Sequence, residues 1–341
     1  MSSVKFYALC CKSLYATKRH AQYIPKEDLV IILNSRDSEY TTQASAWCES
    51  ESIEYYITES DGTASTGKNC FLDIFKSSMN DNAVLIDGDD FITPHGVWTY
   101  KQIASLETPP DVVALRNQYG IFKERGYSHF LSHEAIMHDP YFGVQDILNS
   151  ESILGVGTRC FRMTKSWWTT ALEGTNIPKT TPTEVALNAV HKRWATHVHK
   201  YIDRWETHLR ITWFSKKAAN RGYFDNSLLV GEDTFKYLEF KDDHVNNRLS
   251  LVHYDEGYPT YVYDTRIDGV VQAVLDDDNE QGALGWLNWL SALTDKYDEL
   301  EAANKMHEVE IPILEISWPE DYRPNTAGLV NYPRCSSIRY A

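Results

Sequence analysis

The stretch AVLIDGDDFITPHGVW, residues 83–98, sets three carboxylates, Asp87, Asp89 and Asp90, directly after the apolar run Ala83–Ile86. The run has the length of a buried strand. Thr93 followed by Pro94 is a helix start, with a capping hydroxyl and a proline where its missing N–H costs nothing. The stretch therefore reads as strand end, acidic turn and helix start. Three like charges at a strand end repel one another, so the turn is either a solvated surface turn or the seat of a cation.

The segments before it repeat the arrangement. VKFYALC (4–10), DLVIILNS (28–35), IEYYIT (53–58) and AVLID (83–87) are strand-like, and DVVALRN (111–117) reads as a fifth strand. SEYTTQASAWCESES separates the second from the third as a helix. STGKNCFLDIFKSSM separates the third from the fourth, with Cys70, Ile74 and Phe71, Phe75 at helical spacing. Alternation of this kind predicts an α/β fold with a mostly parallel sheet covered by helices on both faces. Ligands of such sheets bind beyond the carboxyl ends of the strands. NSRD, TESDG and DGDD all fall at that edge, and three converging polar clusters favour a site over a chance turn.

Composition sets the frame. The chain has 341 residues, 43% of them hydrophobic and 24% charged, enough for a real core in one compact unit. No apolar run reaches membrane-spanning length, and the N-terminus lacks the features of a signal peptide, so a cytoplasmic protein without a membrane partner is expected. Six cysteines show no metal spacing, as in a reducing compartment. Net charge is −15, which argues against nucleic acid, but residues 191–221 hold eight Lys/Arg against two acids, leaving about −21 for the rest. Trp194, Trp205 and Trp213 interleave that segment. Cations with aromatic rings suit phosphate backbone and stacked bases. The same pattern also describes an amphipathic helix with buried tryptophans. Residues 180–205 read as a long helix, and 284–306, with Trp286, Trp289, Leu290 and Leu293, as an amphipathic one. RLSLVHY (248–254) and YPTYVYD (258–264) are strand-like again.

In order of elements the chain resembles a GT-A glycosyltransferase of the family 2 type, over residues 4–240. The resemblance rests on VIILNSRD, on TESDGTASTGKN, on the D-x-D element Asp87-Gly88-Asp89-Asp90, and on NSLLVGEDTFKYLEF (226–240). It implies a Rossmann-like donor half over 1–120, an acceptor half with the catalytic acid over 121–275, and a C-terminal helical or mixed extension over 276–341. It implies that Asp37 faces the nucleobase, that Lys68 and Asn69 lie near the nucleotide, and that Asp87, Asp89 and Asp90 hold Mn²⁺ or Mg²⁺. His253 or His244 completes the metal site in that reading. Asp233, with Glu232 beside it, is the catalytic base. The activity implied is metal-dependent transfer of a sugar from a nucleoside-diphosphate sugar, a UDP-sugar in the first instance, to a hydroxyl.

Plainer readings stand beside these. Asp37 can cap the helix that follows it, Lys68 can be a surface lysine, and Glu232-Asp233 can be the acidic first turn of a helix. His129, His133 and His138 suggest zinc only weakly. Phosphatases of the haloacid dehalogenase type carry D-x-D after their first strand, whereas here it follows the fourth. Sugar nucleotidyltransferases carry a glycine-rich loop after strand one, and LCCKSLYATKRH has no glycine. In organisation the chain also resembles phage transferases, such as the T4-like arabinosyltransferases, that glycosylate 5-hydroxymethylcytosine, which would make double-stranded DNA the acceptor and the base a flipped one. Polysaccharide, glycolipid and small-molecule acceptors are open at this stage, as is a GT-A-like module that binds without catalysis.

Overall fold

The computed structural model describes residues 3–60, 63–115, 118–122, 127–131, 210–226, 232–254, 258–264 and 295–325. The long helix expected over 180–205, the side chains of His129, His133 and His138, and the start of the helix expected over 284–306 lie outside them. Residues 295–302 are helical.

The elements alternate as the sequence predicts. Strands β1 (Val4–Cys10), β2 (Leu29–Leu33), β3 (Glu54–Ile57) and β4 (Asn82–Asp87) are joined through helices α1 (Leu14–Tyr23), α2 (Ser38–Glu51) and α3 (Ala64–Ser77). After β4 come the short β5 (Phe91–Ile92), α4 (Pro94–Ser105), β6 (Val112–Leu115), β7 (Gln118–Phe122) and β8 (Tyr127–Leu131). Further on lie β9 (Arg210–Ser215), the single-turn α5 (Lys216–Ala219), α6 (Glu232–Val245), β10 (Leu251–Tyr254) and β11 (Tyr261–Asp264).

Among the described residues seven strands form the main sheet in the order β10-β6-β9-β4-β1-β2-β3, and β5-β11-β7-β8 form a smaller sheet. All pairs of the main sheet are parallel except those of β9, which runs antiparallel between β4 and β6. The strand order turns outward in both directions from β1, so the crevice between the carboxyl ends of β1 and β4 is the topological switch point.

Both faces of the sheet are covered, which is why the strands read as continuous apolar runs. Tyr7, Leu9 and Leu85 face Phe71 and Phe75 of α3 and Phe235 and Leu238 of α6. Phe6, Ala8, Val84 and Ile86 face Tyr40, Ala44 and Cys48 of α2 and Tyr100 and Ile103 of α4. Capping fixes the helix starts. The Asp37 carboxylate accepts from the amides of Glu39 and Tyr40, and the Thr93 hydroxyl accepts from that of Gly96 with Pro94 in the first turn. Cys10, Cys11, Cys48 and Cys70 are free thiols. Among the described residues no helix is long and apolar enough to cross a membrane.

One segment departs from expectation. Residues 210–215, within the described part (210–221) of the basic Trp-rich segment, are a central strand. Trp213 is fully buried, its indole N–H donating to the Pro110 carbonyl, so it stacks on no ligand base.

A candidate active site at the carboxyl end of β4

The acidic turn sits at the switch point, and Gly88 is required there. A Cβ at Gly88 would lie 2.3 Å from the Leu9 carbonyl oxygen of β1. The turn therefore packs backbone against backbone at the end of the neighbouring strand. Within it the three carboxyls have separate surroundings.

Asp87 ends β4 and pairs with Arg210 of β9, its neighbour in the sheet. Lys68 lies 3.9 Å from its other oxygen. Burial opposes the charge of Asp87, but Lys68 and Arg210 together hold its pKa below the usual carboxylate range. Asp90 is buried under β11, where it accepts from the Tyr261 hydroxyl at 2.7 Å and from the Asp264 amide at 3.0 Å. Burial raises its pKa well above the usual value, against the pull of Arg210 at 3.4 Å. Asp89 has no ion pair among the described residues. Burial, and then the charge of Asp87, push its pKa up to about 6.

Lys68 is the centre of the site. It is no surface lysine: it lies on the buried face of α3 with Ser65, Phe71, Leu72 and Phe75, and is 2% exposed. Its ammonium donates to Glu232 at 2.8 Å and to Asp233 at 2.7 Å, the first two residues of α6. Burial disfavours the charge on Lys68, yet Asp233, Asp87 and Glu232 hold its pKa above the usual lysine range. Glu232 is buried and Asp233 is 28% exposed, so Asp233 is the acid of the pair that a ligand can reach. Burial lifts the Glu232 carboxyl above its usual range despite Lys68.

The N-terminal part of α3 also places the chain leading to α6. The Asn69 side chain donates to the Phe224 carbonyl and to Asn226 and accepts from the Phe224 amide, while Ser65 donates to the Asp225 carbonyl. In this arrangement Lys68 and Asn69 bind protein groups. Gly67 allows α3 to approach this closely, since a Cβ there would meet Leu9 and Asn34 within 3 Å.

Lys68, Asp87, Asp89, Asp90, Glu232 and Asp233 thus meet at one end of the sheet. His253 does not join them. It lies on β10, three strands from β4, which is about 14 Å at the usual spacing, and its ring bonds the Tyr237 hydroxyl. His244 accepts the Leu251 amide at the far end of α6. Asp37 is exposed and caps α2. Among the described residues no group of three or more His, Cys, Asp and Glu forms a ready-made metal cage. The donor set instead suits an ion such as Mg²⁺ or Mn²⁺, held by one or two carboxylates and completed by substrate phosphates. Asp89 pairs with no other side chain among the described residues, Asp87 is shared with Arg210, and Asp90 is spent on β11.

Sequence reading missed Arg210, Tyr261 and Arg19. Arg210 opens the apolar run RITWFS, and the parallel sheet leaves one strand position beside β4 for such a run. Nothing local marks Tyr261 or Arg19.

Of the basic segment, the cations described are internal or paired. Lys216 donates to the Phe75, Lys76 and Ser78 carbonyls at the end of α3, Lys217 pairs with Asp111, and Arg221 with Asp243.

No family model matches the chain, and no curated protein matches it. Among solved structures it is similar to S. aureus TarS in complex with UDP-GlcNAc (13% identity, TM-score 0.43), covering 79% of this chain and 61% of that one. The chain thus spans about three fifths of that protein's crystallised length. TarS in complex with UDP is similar at 13% identity and a TM-score of 0.40, over 88% of this chain and 68% of that one. The mannosyltransferase PcManGT from Pyrobaculum calidifontis, in complex with GDP-Man and Mn²⁺, follows at 10% identity and a TM-score of 0.29, over 89% and 88%. At these scores function rests on the site itself.

Proposed function

We propose that the protein is a glycosyltransferase of the GT-A type, moving a sugar from a nucleoside-diphosphate sugar to an acceptor hydroxyl. One observation carries the reading. Lys68 joins Asp87, from the acidic turn, to Glu232 and Asp233, from a helix some 145 residues later in the chain, at the edge where α/β sheets bind ligands. The acids at the turn and the acids at the helix start are thereby two sides of one site.

The chemistry follows from their positions. Asp233, the more exposed acid of α6, takes the proton of the acceptor hydroxyl as its oxygen bonds to the anomeric carbon. The bond from that carbon to the diphosphate oxygen breaks, and the nucleoside diphosphate leaves with the electron pair. A divalent ion bound through Asp89, with Asp87 as its neighbour, would supply positive charge to the diphosphate. Lys68 keeps Asp233 oriented and separates it from Asp87. Attack from the side opposite the leaving group inverts the anomeric centre. UDP-sugars are the donors to test first, in keeping with the nucleotides bound to TarS.

For the acceptor, saccharide and small-molecule hydroxyls come before DNA. The 5-hydroxymethylcytosine reading draws on residues 191–221, and the described cations of that segment are already bound within the fold.

The test is thermal stability with UDP, GDP, CDP and ADP, each with and without Mn²⁺. A ligand that binds the folded state alone raises its stability by mass action. One diphosphate is expected to give a manganese-dependent shift that is lost in Asp89→Ala. Absence of any shift with all four would remove the donor site from the reading.

A further inference from the structure

The acidic turn is held from behind by a residue that the proposed chemistry does not use. Arg19, on α1, is 4% exposed. One terminal nitrogen donates to the Asp264 carboxylate at 2.6 Å, and the other to the Asp89 carbonyl at 2.9 Å and the Asp90 carbonyl at 3.1 Å. Its guanidinium lies 4.4 Å over the Phe91 ring. Its Nε–H has no partner among the described residues. A buried guanidinium needs a counter-charge, and Asp264 provides it. That need does not explain the two bonds to loop carbonyls, made while Nε finds no acceptor among the described residues. The side chain is placed to serve the turn.

The turn is gripped on its other side by the same strand end. The Asp264 amide donates to the Asp90 carboxylate, and the Tyr261 hydroxyl donates to it as well. Tyr261 also accepts from the Asp87 amide and from Arg210, each at 3.2 Å. Residue 90 is therefore fixed through its carbonyl by Arg19 and through its carboxylate by β11. The residue between these anchors and β4, Asp89, has its carbonyl fixed, and its carboxylate bonds no other residue among those described.

We propose that Arg19 is a positioning residue for the acidic turn: by holding the Asp89 and Asp90 carbonyls it fixes the direction in which the Asp89 carboxylate leaves the backbone, and divalent-cation-dependent nucleotide binding requires it. The proposal rests on the glycosyltransferase reading. Arginine is needed because its planar fork reaches the carboxylate and both carbonyls at once, which a lysine ammonium on a flexible stem does not.

Calorimetry of UDP binding to the full chain, with Mn²⁺ and with EDTA, tests it in the wild type, in Arg19→Lys and in the double variant Arg19→Gln/Asp264→Asn. The double variant removes the buried pair together and leaves no lone charge, so it keeps the test valid if Arg19→Lys does not fold. Expected is a loss of the manganese-dependent gain in UDP affinity by about 10- to 100-fold, the usual cost of removing a partner that orients a metal ligand. UDP affinity in EDTA stays within about twofold, a split that a general loss of structure would not produce. A folded variant with the wild-type manganese gain overturns the role of Arg19. A wild type with no manganese gain for UDP, nor for GDP, CDP or ADP, overturns the donor-site reading itself, and the role of Arg19 with it.

Discussion

Two clusters of acidic and basic side chains share helix α6, one at each end, and they are built differently. At the far end Asp243 takes two bonds from Arg221, at 2.6 and 2.7 Å, and another from Arg248, while Asp242 bonds Arg248 and His307. Two carboxylates face two arginines there, and the arginines are more than a third exposed. At the near end two cations, the buried Lys68 and the partly buried Arg210, face five carboxyls, Asp87, Asp89, Asp90, Glu232 and Asp233. The balanced cluster needs nothing further. The unbalanced one stores repulsion that burial makes expensive, and Asp89, Asp90 and Glu232 all have raised pKa values because burial opposes their ionisation. A surplus of largely buried acid with raised pKa values at a sheet edge is the arrangement that the proposed cation-assisted site calls for.

The contrast can be broken at several points. The largest effect is expected for Lys68→Met, which leaves Asp87, Glu232 and Asp233 without their common partner. Loss of one side of a buried ion pair costs about 3–5 kcal/mol, to be read from urea denaturation. Adding Glu232→Gln should recover part of it. Arg221→Met, at the exposed cluster, should cost about 1 kcal/mol or less by the same measurement.

The clusters should also answer pH in opposite senses. Asp89 titrates at about 6 in the folded chain, above its ordinary 3.8, so the folded state holds that proton more tightly than the unfolded one. The cost of ionising it is absent below about pH 4, grows from there to about pH 6 and is complete above. Asp89→Asn should therefore raise Tm by a few degrees at neutral pH, with the gain vanishing towards pH 4. For Asp243 burial is outweighed by the bonds from Arg221 and Arg248, which hold its pKa below 3.8. Its stabilisation is present above that value and fades as pH falls below it. Asp243→Asn should lower Tm at neutral pH, and the deficit should close in acid. A common pH response in the two variants would erase the distinction between the clusters.

The smallest effect is Asp37→Ala. It removes a cap that accepts two amides, at about 1 kcal/mol. A change in the UDP-induced shift beyond that loss of stability would add the nucleobase contact to the cap.

Much of this was legible in the chain. Strands covered on both faces must be continuously apolar, so β1, β2 and β4 stood out, and Thr93-Pro94 marked the start of α4. The acids of the turn and of α6 were visible as candidates. Their meeting through Lys68 was not, although position 68 shares the apolar stripe of Phe71, Leu72 and Phe75 and so had to point inward. β9 was hidden because its run is short and sits in a segment rich in Lys, Arg and Trp, where charge suggested a surface. The division of labour among Asp87, Asp89 and Asp90 depends on Arg210, Tyr261 and Asp264, more than 120 residues away in sequence, and no local pattern encodes it.

The central claim is that the surplus acids carry out group transfer, with Asp233 as the base. The most direct measurement is release of nucleoside diphosphate from UDP- and GDP-sugars in Mn²⁺, with saccharide acceptors and with water alone, in the wild type and in Asp233→Asn. Removal of a general base is expected to slow release by about 10²- to 10⁴-fold, with the diphosphate-induced thermal shift unchanged. Equal rates in the two proteins, or no release from any sugar nucleotide that the wild type binds, would contradict the claim.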